Sequence, residues 1–201
     1  SSGSGTNTLT FRYIVVAGNA SADLDQQSSS ALALNGGTIR DASSNDAVLA
    51  LASPAATGSL GVNKAFVIDT VAPSAPTSLA ATAVGGTVVA NTLLASNTNL
   101  TATASITAGQ ATSGSAELVL GSAVVATDAS ISSGDTSVSF TLGLTTTAQV
   151  QASIASGGVL TVRLIDLAGN TSAGSTAVNL AVDYVVPTVA LTISRSSFKI
   201  G

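Results

Sequence analysis

The chain has no histidine, no cysteine, no methionine and no tryptophan. Without His or Cys there is no His-based catalytic triad, no thiol nucleophile, no zinc site of the usual ligand set and no haem with a His or Cys axial ligand. Charge is scarce as well: 8% of the 201 residues are charged, with six Lys and Arg against ten Asp and Glu. A net charge of −4 and scattered basic residues do not suit a phosphate backbone, which argues against a nucleic-acid partner. No apolar run approaches the roughly 18 residues of a membrane-spanning helix. No leader peptide or lipidation signal is visible, and the chain is expected to be soluble, as it stands or as a piece of a longer polypeptide. What is abundant is Ala, Val, Ser and Thr, with 45% of residues apolar. Such a mix suits a protein made in bulk and exposed outside the cell. Lacking disulfides, it must be held by packing or by ions.

The apolar residues fall in short alternating runs. Leu9, Phe11, Tyr13 and Val15 alternate with Thr8, Thr10, Arg12 and Ile14. Val138, Phe140 and Leu142 do the same, as do Val178, Leu180 and Val182. A period of two is that of a half-buried strand, and Ser and Thr tolerate the outer pleated face. Residues 31–34, 48–51, 65–68, 79–84, 117–120, 159–165 and 189–193 are read as further strands. The stretch 98–107 is assigned to strand by its Thr content. Turn clusters separate the runs: Asn35-Gly36-Gly37, Gly85-Gly86, Ser132-Ser133-Gly134-Asp135, Gly157-Gly158 and Ala168-Gly169-Asn170. Gly and Asn supply the positive φ of tight hairpins. The expected class is all-β.

One pattern occurs twice. Val67-Ile68-Asp69-Thr70-Val71-Ala72-Pro73 returns as Ala181-Val182-Asp183-Tyr184-Val185-Val186-Pro187, with the two Asp 114 residues apart. Upstream of each, an acid precedes an Asn by four residues, at Asp41 and Asn45 and again at Asp166 and Asn170. A repeat of roughly 110 residues is the size of one immunoglobulin-type sandwich. The Asp-to-Pro segments then read as inter-domain joints, where Pro fixes φ and stiffens the link. On this frame residues 74–186 form one complete sandwich and residues 1–73 the C-terminal part of another. Residues 187–201 form the first strand of a following domain. The expected architecture is tandem immunoglobulin-like sandwiches joined by Pro-containing linkers. A chain cut inside domains at both ends is either a window of a longer protein or a unit that completes its neighbour by strand addition, giving a homopolymer.

The stretches SGSGTNTLTFRYIVVAG, ALALNGGTIRDAS and GSLGVNKAFVIDT resemble the bacterial Ig-like repeats of giant surface adhesins and biofilm-matrix proteins. DTVAPSAPT is similar to their inter-domain joint, VRLIDLAGNTS to their closing part, and VPTVALTISRSSFKIG to the opening strand of a next repeat. Residues 88–150 add little to the likeness beyond alternation. The resemblance implies an extracellular or cell-surface bacterial protein built as an extended stalk, in which many repeats bind calcium at joints or loops. Tyr184-Val185-Val186 departs from the usual Thr-containing joint, and the Asn19–Asp25 loop has fewer acids than family members often carry.

Calcium takes about six to eight oxygens, from carboxylates, backbone carbonyls, Asn side chains and water. Asp41, Asn45 and Asp69 would supply a partial set in the first unit, and Asp166, Asn170 and Asp183 in the second. The same residues at the same spacing are ordinary turn formers, bonding their own backbone. Asp23 and Asp25 form a D-x-D pair, read as a solvated loop rather than a glycosidase pair, since no aromatic cluster accompanies them. Glu117, the one Glu, is placed by alternation on the outer face of a strand, as a solvated edge charge. Tyr13, Tyr184 and Phe66 are assigned to core or joint packing. No catalytic residue is identified.

The expected function is therefore a non-enzymatic structural module of an adhesin stalk, matrix fibre or surface sheath. Its partners would be neighbouring domains or copies of the same protein, and not nucleic acid or membrane. The alternatives are an Ig-like module binding carbohydrate or a host protein, and an accessory domain of a secreted hydrolase.

Overall fold

The computed structural model describes residues 8–144, 158–183, 185 and 189. The chain separates into two compact units, Ser1–Ala72 and Pro73–Gly201.

Among the described residues the C-terminal unit has eight strands: β1 (Thr77–Val84), β2 (Thr92–Leu94), β3 (Asn99–Ser105), β4 (Ser115–Leu120), β5 (Ala123–Asp128), β6 (Ser137–Gly143), β7 (Gly158–Ile165) and β8 (Val178–Asp183). They form two sheets, a three-stranded one in the order β1-β3-β6 and a five-stranded one in the order β2-β8-β7-β4-β5. All pairings are antiparallel except that of β2 with β8, which is parallel.

Period-two alternation makes the core. β1 turns Leu79 and Ala83 inward, β3 Leu100, Ala102 and Ala104, and β6 Val138, Phe140 and Leu142. From the other sheet come Leu93, Ala116, Leu118, Leu120, Leu160, Val162, Leu164 and Leu180. These residues join in one apolar cluster, closed at its margins by Ala111, Ile131 and Leu144. Each large side chain in it contributes about 1.5–3 kcal/mol of transfer free energy.

Two points fix how the strands meet. At Gly114, just before β4, a Cβ would strike the carbonyl oxygen of Ile165 and approach the Asp166 Cα at 2.9 Å, so only glycine lets the two backbones come so close. The buried Asn97 amide donates to the carbonyls of Gly85 (2.5 Å) and Thr87 (2.9 Å), and its oxygen accepts from the Leu94 N–H (2.6 Å). It thereby ties the Gly85-Gly86 turn to the end of β2.

The outer face of the three-stranded sheet is a lattice of hydroxyls. Thr82, Thr101 and Thr141 lie side by side across the strands, and Ala80, Thr103 and Ser139 form the next rank. Thr101 Oγ1 donates to the Thr82 carbonyl at 3.1 Å, and the Thr103 and Ser139 hydroxyls are 3.4 Å apart. No charged residue occurs in these three strands.

Glu117 is not an edge charge. Its strand, β4, is paired on both sides, with β5 and with β7. On the outer face Glu117 stands opposite Arg163, whose Nε and Nη2 lie 2.7 and 2.6 Å from Oε2.

The N-terminal unit differs from expectation. Among its described residues there is no strand of the expected four or five, but one short helix, α1 (Leu60–Asn63), and isolated bridges, among them Ser21 with Ile68 and Arg40 with Asp46; Thr10 is a bridge residue as well. Ser21 and Ile68 exchange both backbone bonds at 2.8 Å, and Leu24 N–H bonds to the Phe66 carbonyl at 2.8 Å. The segments run beside one another without a continuous ladder. Leu9, Phe11, Tyr13 and Val15 are exposed, as are Val48, Phe66 and Val67. Tyr13 and Phe66 are thus not core residues, and Tyr13 instead donates its hydroxyl to Asn19 Oδ1 at 3.1 Å. Alternation alone does not make a strand when no neighbouring ladder receives the backbone groups. An apolar groove of about 210 Å³ opens on this unit, lined by Leu9, Phe11, Leu32, Leu34 and Ile39 among others. Of the strand expected at 189–193 only Val189 falls within the described residues, and Tyr184 and Pro187 lie outside them.

Candidate functional site

Four of the six residues singled out as oxygen donors form two copies of one turn. In the N-terminal unit the Asp41 Oδ1 accepts from the backbone N–H of Ser43 (2.8 Å) and Asn45 (2.9 Å), and Oδ2 accepts from Asn45 Nδ2 (2.9 Å). The Asp41 N–H donates to the Asn45 carbonyl (3.0 Å), and Ser44 N–H donates to the Asp41 carbonyl (3.1 Å). In the C-terminal unit Asp166 Oδ1 accepts from Asn170 N–H (2.8 Å) and Oδ2 from Asn170 Nδ2 (2.9 Å). The Asp166 N–H donates to the Asn170 carbonyl and Gly169 N–H to the Asp166 carbonyl, both at 3.1 Å. The fourth residue is left-handed in each copy, Ser44 at φ 67° and Gly169 at φ 89°. Bridges flank both turns, Arg40 with Asp46 and Ile165 with Thr171.

The side-chain amide of Asn45, together with its backbone N–H, holds the Asp41 carboxyl below the usual carboxylate range. A carboxylate that accepts several N–H donors is favoured in its charged form. These oxygens close the turn.

The acids of the two Asp-to-Pro segments repeat as well. Asp69 Oδ1 accepts from Val71 N–H at 2.9 Å, and Asp183 Oδ1 from Val185 N–H at 3.0 Å. Each caps the chain two residues ahead of it, the Asx turn that such an acid forms. Thr70 adds a clasp beside Asp69: Oγ1 accepts from Gly18 N–H and donates to the Asn19 carbonyl, both at 3.0 Å. The structure therefore pairs Asp41 with Asn45 and Asp166 with Asn170, and places Asp69 and Asp183 each on its own backbone. Among the described residues no three His, Cys, Asp or Glu side chains converge as a metal-ligand group, and no helix is long and apolar enough to cross a membrane.

Three groups were not legible as special. Asp25 is an anchor and not a solvated loop acid: its oxygens accept from the N–H of Ala55 and of Gln26, both at 2.9 Å. The Ala55 N–H, with Gly61, Ser59 and Gln26, draws its pKa down to about 2 against a partial desolvation. Gln26 bridges onward to the Ala52 carbonyl (2.8 Å) and the Leu60 N–H (3.0 Å). In the C-terminal unit, the buried Ser172 accepts from Leu164 N–H at 2.9 Å and donates to its neighbour's carbonyl at 2.8 Å. Buried Ser175 does the same for Val162 N–H at 3.0 Å and the Thr176 carbonyl at 2.9 Å. These hydroxyls satisfy the part of β7 that lies beyond its pairing with β8. The sequence signal, a Ser-x-x-Ser after the turn, is too common to single out.

Chemically the arrangement holds backbone in place. No protein-family model matches the chain, and no curated protein or solved structure matches it either.

Proposed function

We propose that the C-terminal unit is an immunoglobulin-type sandwich and that the chain is a structural spacer from an extracellular bacterial repeat protein, a stalk, fibre or sheath whose work is to span distance. The strand order supports the first part: two sheets of three and five strands with β2 parallel to β8, a two-layer arrangement of the kind seen in such sandwiches. The observation that carries the second part is the duplicated turn. The same acid–amide closure and the same Asp cap before the joint recur in both units. A module repeated with its joint is the plan of a chain that grows by addition. The perturbed acids are held by structural N–H donors, Asp41 by the Asn45 side-chain amide and backbone and Asp25 by the Ala55 backbone, which suits a mechanical role better than proton transfer.

Small-angle scattering of the chain is the test. An elongated particle, longer than two sandwiches packed side by side, supports the spacer. A compact particle, or saturable binding of a polysaccharide or a host protein by the chain, would overturn it in favour of a binding module or hydrolase accessory domain. Calcium at the joints, the other part of this reading, would have to compete with the N–H donors already on Asp41 and Asp166. Calorimetric melting in calcium and then in chelator tests it, and an identical midpoint in both removes the ion.

A further inference from the structure

We propose that Asn35 is a site of spontaneous self-modification, where the Gly36 amide nitrogen closes on the Asn35 side chain and converts it, through a cyclic imide, to aspartate and isoaspartate.

Asn35-Gly36 is the one Asn-Gly pair in the chain. It forms the centre of a tight turn: φ is 46° at Asn35 and 84° at Gly36, and the Gly37 N–H donates to the Leu34 carbonyl at 2.8 Å. Successive left-handed residues are what this turn demands, and Asn and Gly adopt them at least cost.

Three observations make the pair reactive. The electrophile is free: Asn35 is exposed and its carboxamide has no partner among the described residues. The carboxamides of Asn19, Asn45, Asn97 and Asn170 are each held by hydrogen bonds. The nucleophile is free as well. The Gly36 N–H has no acceptor among the described residues, and no side chain crowds its nitrogen. The residues that follow the four held asparagines are Ala20, Asp46, Thr98 and Thr171, each with a Cβ in the way. Finally, little holds the turn. Across residues 32–38 the bond from Gly37 to Leu34 is the one backbone hydrogen bond among the described residues, and so sparse a segment opens locally at low cost. Opening lets the Asn35 backbone rotate until the Gly36 nitrogen reaches Cγ.

The step balances with solvent water alone. Base removes the Gly36 N–H proton, the nitrogen bonds to Asn35 Cγ, and the Cγ–Nδ2 bond breaks to release ammonia. Water then opens the imide. Attack at Cγ leaves aspartate; attack at the main-chain carbonyl leaves isoaspartate, whose peptide bond runs through the former side chain. Either product adds one negative charge to a chain of formal charge −4. Isoaspartate also lengthens the backbone by a methylene inside the turn. Leu34 and Gly37, on either side, both line the apolar groove of this unit, so the groove wall changes as the chain ages.

The experiment is peptide mapping by mass spectrometry of the full chain, held native in mildly alkaline buffer made with heavy-oxygen water. The Asn35 peptide is expected to exchange its amide for a labelled carboxyl and to split into two isomers, one of them isoaspartate, while Asn45 and Asn170 keep their amides. Gly36→Ala slows the conversion at least about tenfold. A Cβ there meets nothing within 4 Å, so the change does not disturb packing. Asn35→Gln, which retains the turn glycine, removes the product. An Asn35 amide that outlasts those of Asn45 and Asn170, or that converts only in urea, overturns the proposal. So does conversion that Gly36→Ala leaves at its original rate, or that yields aspartate alone, since direct hydrolysis would do both.

Discussion

Phe11 and Phe140 occupy equally regular alternating segments, one in each unit, yet Phe11 is 66% exposed and Phe140 4%. The difference lies in what surrounds them. Phe140 sits on β6, whose backbone is paired to β3 along seven residues, and its ring closes onto a cluster drawn from both sheets. Phe11 has no such ladder beside it among the described residues. The turn, by contrast, is closed in both units by the same acid–amide and backbone bonds. A structure closed within five residues needs nothing from the rest of the fold, whereas a strand is defined by the chain beside it.

The sharpest way to break this comparison is to truncate both rings. Phe140→Ala should cost about 3–5 kcal/mol in chemical denaturation, while Phe11→Ala should stay within about 0.5 kcal/mol in the monomer. Equal losses would show that the two environments are alike. Next in size is the serine clasp. Ser172→Ala leaves the Leu164 N–H without its hydroxyl acceptor and should cost about 1–3 kcal/mol. The matching position in the N-terminal unit is already an alanine: Ala47 N–H donates to the Ile39 carbonyl at 2.9 Å, as Ser172 N–H does to Leu164. Ala47→Ser should therefore change little, and a comparable gain there would mean the clasp works in both units.

The turns allow a finer test with opposite signs. Ser44→Gly relieves a left-handed serine and should stabilise by about 0.5–1 kcal/mol, and Gly169→Ser should destabilise by a similar amount. Two changes of the same sign would show that the turns are not equivalent. The smallest effect concerns acid. The Asp25 pKa lies below its ordinary value, at about 2, so its contribution is complete above roughly pH 4 and is lost as pH falls through the folded value. An NMR titration of the carboxyl should find the midpoint near that value, and a midpoint at the ordinary Asp value would remove the Ala55 anchor.

These contrasts also explain what could be read from sequence. β6 and β8 were legible because their inward residues alternate cleanly, β1, β4 and β7 from their short apolar runs, and β3 from its Thr content. β2 was not: three residues, Thr92–Leu94, become a strand only through parallel pairing with β8 at the far end of the unit. β5 is an edge strand, half-buried on both faces, so it shows no crisp alternation. Alternation placed Glu117 on the outer face but carries no word on whether a strand is central, and so it missed Arg163. Among the candidate residues, the pairing of Asp41 with Asn45 and of Asp166 with Asn170 was visible in the spacing. What the oxygens do was open until the turn's own N–H groups could be counted against them.

The hydroxyl lattice on β1, β3 and β6 has a consequence for where such a protein can work. An outer face made of Thr and Ser has no charge for dissolved ions to screen, so its repulsions and contacts do not change between dilute and concentrated brine. On that side, the wall of the sandwich is indifferent to salinity.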